Sequence, residues 1–200
     1  MTANSNVTLE SLVALSLAKC LQRISRVSAG TWQVLGASVS SGSLEDALKQ
    51  HDFKNSAAAV YFNLKGMSPL TAIMLFDPAD MECISKCFTG HSFPHGVTTT
   101  MAEEVMLTEL GNIVMNSLIN GLLNALRRQS IPTIPMFAEG NLQALTAEIG
   151  KTVNVKQGFR IITARLTLQS DVKTASAEAI ALVPEELAMD LELLQPSAGV

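Results

Sequence analysis

The 200-residue sequence predicts an α+β fold, with long helices packed on a largely antiparallel β-sheet and one unit used twice in pseudo-two-fold fashion. Three observations predict it. Two long segments, one near the start of the chain and one from Met101, carry apolar residues at three- and four-residue spacing. Each is followed by a pair of apolar, strand-like runs around a turn. Each pair closes on a proline, Phe76-Asp-Pro78 in one case and Val183-Pro184 in the other, roughly a hundred residues apart. The chain therefore reads as a single domain over residues 1–200, with a first repeat at about 8–90 and a second at about 99–195.

The elements follow in order. Residues 1–7 are polar and read as loose, and Val7 to about Ile24 is a helix on the spacing of Leu9, Leu12, Val13, Leu17, Cys20, Leu21 and Ile24. Thr31–Val39 is β-rich, Ser40–Ser43 reads as a turn, and Leu44–His51 as a short helix or loop. Ala57–Leu64 and Leu70–Phe76 flank Lys65-Gly-Met-Ser-Pro69 as a hairpin. Asp77-Pro78 then opens a helix, where the missing N–H of proline costs nothing. Gly90 to Gly96, with Pro94 between, marks the boundary between halves. Met101–Arg128 is the longest periodic segment, about seven turns of helix. Ser130–Phe137 is extended and interrupted by Pro132 and Pro135, and Asn141–Ile149 is helical. Gly158–Gln169 and Lys173–Val183 form the second strand pair, and a helix runs from Pro184 to about Leu194.

Composition excludes several function classes. Hydrophobic residues make up 48% and charged residues 16%, with mean hydropathy +0.28, which is unlike a disordered chain. Lys+Arg 14 against Asp+Glu 18 leaves a net charge of -4 and no basic run, so no nucleic-acid partner is expected. Leu12–Ala18 lacks a preceding cation and has Glu10 at its mouth, so it does not read as a secretory h-region. No apolar run reaches the roughly 18 residues of a membrane span. Three cysteines, Cys20, Cys83 and Cys87, do not make a disulfide framework. The expectation is a cytoplasmic protein.

On the Met101–Arg128 helix, Leu107, Leu110, Gly111, Val114, Leu118, Leu122 and Ala125 share an arc of roughly 120° and form the core face. Glu109, Asn112, Asn116, Asn120, Asn124 and Arg127 lie opposite, edged by Val105, Ile113 and Leu123. A bare solvent face favours Glu, Lys and Gln, because Asn competes for local backbone hydrogen bonds. Amides edged by apolar side chains suit a docking surface.

Thr108-Glu-Leu-Gly-Asn-Ile-Val114 resembles the motif helix of the CheC/CheX/FliY chemotaxis phosphatase family, E-x-x-N followed 22 residues later by Pro. Glu109, Asn112 and Pro135 match that spacing. The fuller motif has Asp or Ser four residues before the Glu, where this chain has Val105. In the first-half helix, Thr8 and Ser11 stand where a second Glu and Asn would be, so one site is expected.

The resemblance implies a phosphatase acting on the phospho-aspartate of a CheY-type receiver domain. Glu109 and Asn112, at i and i+3, project from one turn. Acyl-phosphate hydrolysis needs an aligned water and charge stabilisation, and an amide offers both a donor and an acceptor. Asn112 would align the water, and Glu109 would pair with a cation of the receiver. Val105, Ile113 and Asn116 would contact that partner. The cation, Mg²⁺, would sit in the receiver, and this chain is expected to bind no metal or cofactor. The alternative is a non-catalytic adaptor that binds a receiver or a CheD-like deamidase. The resemblance also allows a homodimer through strand edges.

Other signals carry less. Cys83, Cys87, His91 and His95 recur every four residues, but on one continuous helix they spread along roughly 18 Å, too far to share an ion. No phosphate-binding glycine loop and no G-x-S-x-G is present.

Overall fold

In the computed structural model, which describes residues 3–54, 56–66, 70–93, 98–171 and 173–193 (side chains of 3–8 and 192 excepted), helix α1 runs Ala3–Val27. It is longer at both ends than the apolar spacing predicts. No Gly or Pro interrupts residues 3–27, and Leu9, Val13, Leu17, Leu21 and Ile24 anchor it in the core. Strand β1, Thr31–Gly42, also exceeds its prediction. Ser40 and Ser41 are not a turn: they pair with Ile161 and Arg160 of β6 (Phe159–Gln169). Ser43 instead caps α2, Leu44–Leu48, in a reciprocal capping box with Asp46.

Strands β2, Ala57–Lys65, and β3, Thr71–Phe76, form the antiparallel hairpin expected. Residues 67–69 of its turn lie outside the described residues. Asp77 caps a 3-10 turn, Pro78–Asp80, which leads into α3, Met81–Thr89. Gly90 ends α3 in the left-handed conformation at φ 82°. Pro94 and Gly96, placed at the boundary between halves, lie outside the described residues.

Helix α4 runs Met101–Ala125, a turn shorter than its periodicity suggests. Arg127 adopts φ 53°, and the N–H groups of Arg127 and Arg128 bond back to the carbonyls of Asn124 and Leu123. That is a Schellman stop made without glycine. Strands β4, Ile131–Pro132, and β5, Met136–Gly140, then share the edge of β2. Leu64 to Tyr61 is three steps on β2, while their partners Pro132 to Met136 are four steps apart. The extra residue is a bulge, and Pro135 lies in it, where no ladder N–H is required. Asn141 caps α5, Leu142–Ile149. Then come β6, β7 (Thr174–Pro184) and α6 (Glu185–Leu193). Leu194, placed in that last helix, lies outside the described residues.

All described strand pairs are antiparallel, in the order β1-β6-β7-β3-β2, with β4 and β5 on the far edge. Helix, edge strand, short helix, hairpin and helix occur in that succession twice. Each half lends its edge strand to the hairpin of the other: β1 pairs with β6, and β5 pairs with β2. The two halves thus share one sheet.

Helices α1, α3, α4 and α6 cover one sheet face, and α2 and α5 cover the other. The central strands are buried on both faces and read as continuous apolar runs. Among the described residues, no helix is long and apolar enough to cross a membrane.

Helix α4 lies close to β2. A Cβ at Gly111 would sit 2.9 Å from Cβ of Val60, an atom that cannot move without the strand. Gly111→Val should therefore destabilise the fold by about 1–3 kcal/mol through overpacking. Gly36→Ala, where a Cβ meets nothing within 4 Å, should change stability far less. Thermal unfolding of both variants checks this.

Candidate functional site

Thr100 starts α4 with a capping box: its N–H and hydroxyl both donate to Oε2 of Glu103, and Glu103 N–H donates to the Thr100 hydroxyl. Two turns on, the apolar arc of α4 faces the sheet. Leu107, Leu110, Val114, Leu118 and Leu122 are fully buried, and Ala125 partly so.

The opposite side presents the residues singled out by sequence. Glu109 is exposed and forms no ion pair among the described residues. Val105 and Ile113 are 58% and 41% exposed, a large apolar investment on a helix surface. Asn112 is partly buried rather than fully exposed, as is Asn116. At 100° per residue these five side chains fall within one arc of about 100°. Leu123 does not join them. It is 7% exposed and belongs to the core cluster, where it lines a cavity together with Leu64 and the α6 residue Leu187. Pro135 stands apart from the helix, in the bulge at the sheet edge.

Asn116 does more than occupy the surface. Its Nδ2 donates to the backbone carbonyl of Asn112 at 2.8 Å and to Oδ1 of Asn112 at 2.7 Å. The sequence held the signal, since an i, i+4 amide pair on a helix is within bonding reach.

Helix α1 lies beside α4. Ser16 Oγ donates to the Ser117 carbonyl at 2.9 Å, and Ser117 Oγ donates to the Ser16 carbonyl at 3.3 Å. Gly121 permits the approach, because a Cβ there would meet Ser16 Oγ at 2.6 Å. The reciprocal pair relates residues 101 apart. The same step back from Glu109 and Asn112 reaches Thr8 and Ser11, so α1 carries neither an acid nor an amide at the equivalent places. Ser11 is exposed, and the side chain of Thr8 lies outside the described residues.

Between the helices runs a groove of about 930 Å³. Leu12, Leu15, Ile24 and Ile113 give it an apolar lining, Lys19 and Arg23 stand on its α1 side, and Asn116, Asn120 and Asn124 on its α4 side. The two cations were not singled out from the sequence.

Cys83 and Cys87 are buried on α3 with their sulfurs 4.0 Å apart, and Gly30 packs against Cys87. Burial, with the neighbouring Cys83 adding to it, pushes the Cys87 thiol from 9.0 up to about 12. His91 is exposed on the loop after Gly90, and His95 lies outside the described residues. Among the described residues, no three His, Cys, Asp or Glu side chains group as metal ligands.

An antiparallel sheet with exchanged edge strands and long helices side by side on one face give the chain the fold of FliY, CheC-like and CheX structures. FliY from Thermotoga maritima superposes with TM-score 0.69 at 12% identity, over 96% of this chain and 95% of that one. A chain of the H. pylori FliM–SpeE complex gives 0.65 at 15% identity, over 98% and 99%. A chain of the Borrelia burgdorferi CheX–CheY–BeF3–Mg²⁺ complex gives 0.52 at 11% identity, over 87% and 96%. No family model and no curated protein matches the sequence.

A thiol pushed up to about 12 is protonated at neutral pH and a poor nucleophile. Iodoacetamide at pH 8 should therefore leave Cys87 unmodified in the folded protein and label it after denaturation, as read by peptide mass spectrometry. The sign of the pH effect follows from the raised value: the contribution of the buried thiol to stability is intact below about pH 9 and erodes as pH rises toward 12.

Proposed function

We propose that the chain is a phosphatase for the phospho-aspartate of a CheY-type receiver domain, working through α4. The observation that carries the reading is the exposed Glu109 and the Asn112 one turn on, with Asn112 held by Asn116 on a helix fixed to the sheet. The receiver would dock over Val105 and Ile113 and along the groove, where Lys19 and Arg23 face the acidic pocket that surrounds a receiver's phosphorylation site. The CheX–CheY complex among the similar structures supports a CheY-type partner for this fold.

In that complex Glu109 would pair with a cation of the receiver and set the register of the helix. Asn112 would enter beside the phosphoryl group and align a water in line with the bond to be broken. Water oxygen bonds to phosphorus as the bond from phosphorus to the aspartyl oxygen breaks, giving inorganic phosphate and the free carboxylate. The receiver's Mg²⁺ would neutralise the developing charge. No general base is required of this chain, because positioning and charge stabilisation supply most of the acceleration in phosphoryl transfer.

A second reading, a non-catalytic adaptor, is favoured by one observation. Val105 puts an exposed apolar side chain where the motif has Asp or Ser, and binding without turnover would tolerate it. FliM complexes are also among the similar structures.

Decay of a phosphorylated CheY-type receiver, with and without the protein at substoichiometric amounts, separates the two. The phosphatase reading expects accelerated decay that Asn112→Ala reduces by about 10²–10³-fold with the fold unchanged. Unaccelerated decay alongside measurable binding would establish the adaptor.

A further inference from the structure

The hydrogen bonds of the amide pair settle which way Asn112 faces. The side chain of Asn116 lies 2.8 Å from the backbone carbonyl oxygen of Asn112, an atom that can only accept. The Asn116 atom there is therefore Nδ2. The same Nδ2 lies 2.7 Å from one terminal atom of the Asn112 amide. Two amide nitrogens have no acceptor between them, so that atom is Oδ1. An isolated asparagine could be turned over without loss, but this one cannot. Its NH₂ group occupies the other branch of the fork, away from Asn116.

We infer that Asn116 is a positioning residue, which holds Asn112 with its N–H pair free to donate to the phosphoryl group. This rests on the phosphatase reading of the site. Held this way, Asn112 meets a phosphoryl oxygen as a donor, while the second lone pair of Oδ1 stays open to a proton of the attacking water. A freely rotating amide would present its oxygen to the anionic phosphoryl group part of the time, where it repels. Fixing the amide before the receiver arrives removes that population and the ordering cost at the moment of reaction. Asn116 itself need not touch the substrate.

The test compares wild type, Asn116→Ala and Asn116→Asp on two readouts. The first is the order of the Asn112 side-chain amide, from ¹⁵N relaxation of its NH₂ signals in the protein alone. The second is kcat and KM for decay of a CheY-type receiver phosphorylated with acetyl phosphate. Ala at this position keeps the helix, since it is the better helix former. It should loosen the Asn112 amide and lower kcat about tenfold with KM unchanged, a split that damage to the docking surface would not give. A carboxylate at the same place offers no N–H and accepts from Asn112 instead, turning the amide over. Asn116→Asp should therefore leave the amide ordered yet lower kcat about a hundredfold.

Unchanged amide order in Asn116→Ala would overturn the inference, as would loss of order with kcat equal to wild type. If wild type leaves receiver decay unaccelerated, the phosphatase reading fails and the donor role with it. Loss of amide order in Asn116→Ala would still establish the positioning contact in that case.

Discussion

The contact between α1 and α4 is the constraint on which the rest depends. Ser16 and Ser117 exchange hydrogen bonds across it, hydroxyl to carbonyl in both directions, at the place where Gly121 leaves room. Each hydroxyl satisfies a carbonyl that already belongs to a helix, so the helices meet without breaking either ladder. On its other side α4 rests on β2 through Gly111. Two glycines one helical face apart thus fix α4 between a neighbouring helix and the sheet. Its outer arc, with Glu109, Asn112 and Asn116, has little freedom to shift.

That rigidity matters more than any single interaction energy. On the phosphatase reading, the Asn112 amide would contribute to phosphoryl transfer by being in place beforehand, and what places it is the frame: core burial of Leu110, Val114 and Leu118, the two close approaches, and the neighbouring amide. The exchanged edge strands extend the same frame. Because β1 pairs with β6 and β5 with β2, neither half can separate without tearing a ladder of the other. The Schellman stop at Arg127 turns the chain back toward the β2 edge, where β4 begins. The proline-marked bulge lies on that same edge.

Much of this was legible in the sequence because it is periodic. The helical spacing of Leu107 through Leu122 gave the core face of α4, and the runs at 57–64 and 158–169 gave the hairpins. Boundaries were less legible where local chemistry competes with composition. Ser40 and Ser41 have turn-like composition yet pair with β6, because a long partner strand supplies hydrogen bonds that outweigh propensity. The stop of α4 was missed since a non-glycine residue takes the left-handed position. Leu123 was misplaced for a different reason: helix angle alone does not say what packs over the last turn. The motif residues were legible as a pattern, while the bond between Asn116 and Asn112 lies in atomic positions that spacing only permits.

The duplication shows where a second site would lie and what stands there instead. The pseudo-symmetry that aligns Ser16 with Ser117 puts Thr8 and Ser11 opposite Glu109 and Asn112. Two equivalent helices side by side offer one continuous groove, and a partner of domain size laid along it would cover both. What α1 does present toward the groove is Lys19 and Arg23, opposite in charge to Glu109 on the outer arc of α4. The symmetric frame therefore supports an asymmetric surface, anionic and amide-bearing along one helix and cationic along the other. On the receiver-binding reading proposed above, such a surface would admit the acidic pocket of a receiver in one orientation and disfavour the reversed one, which would bring that pocket against Glu109.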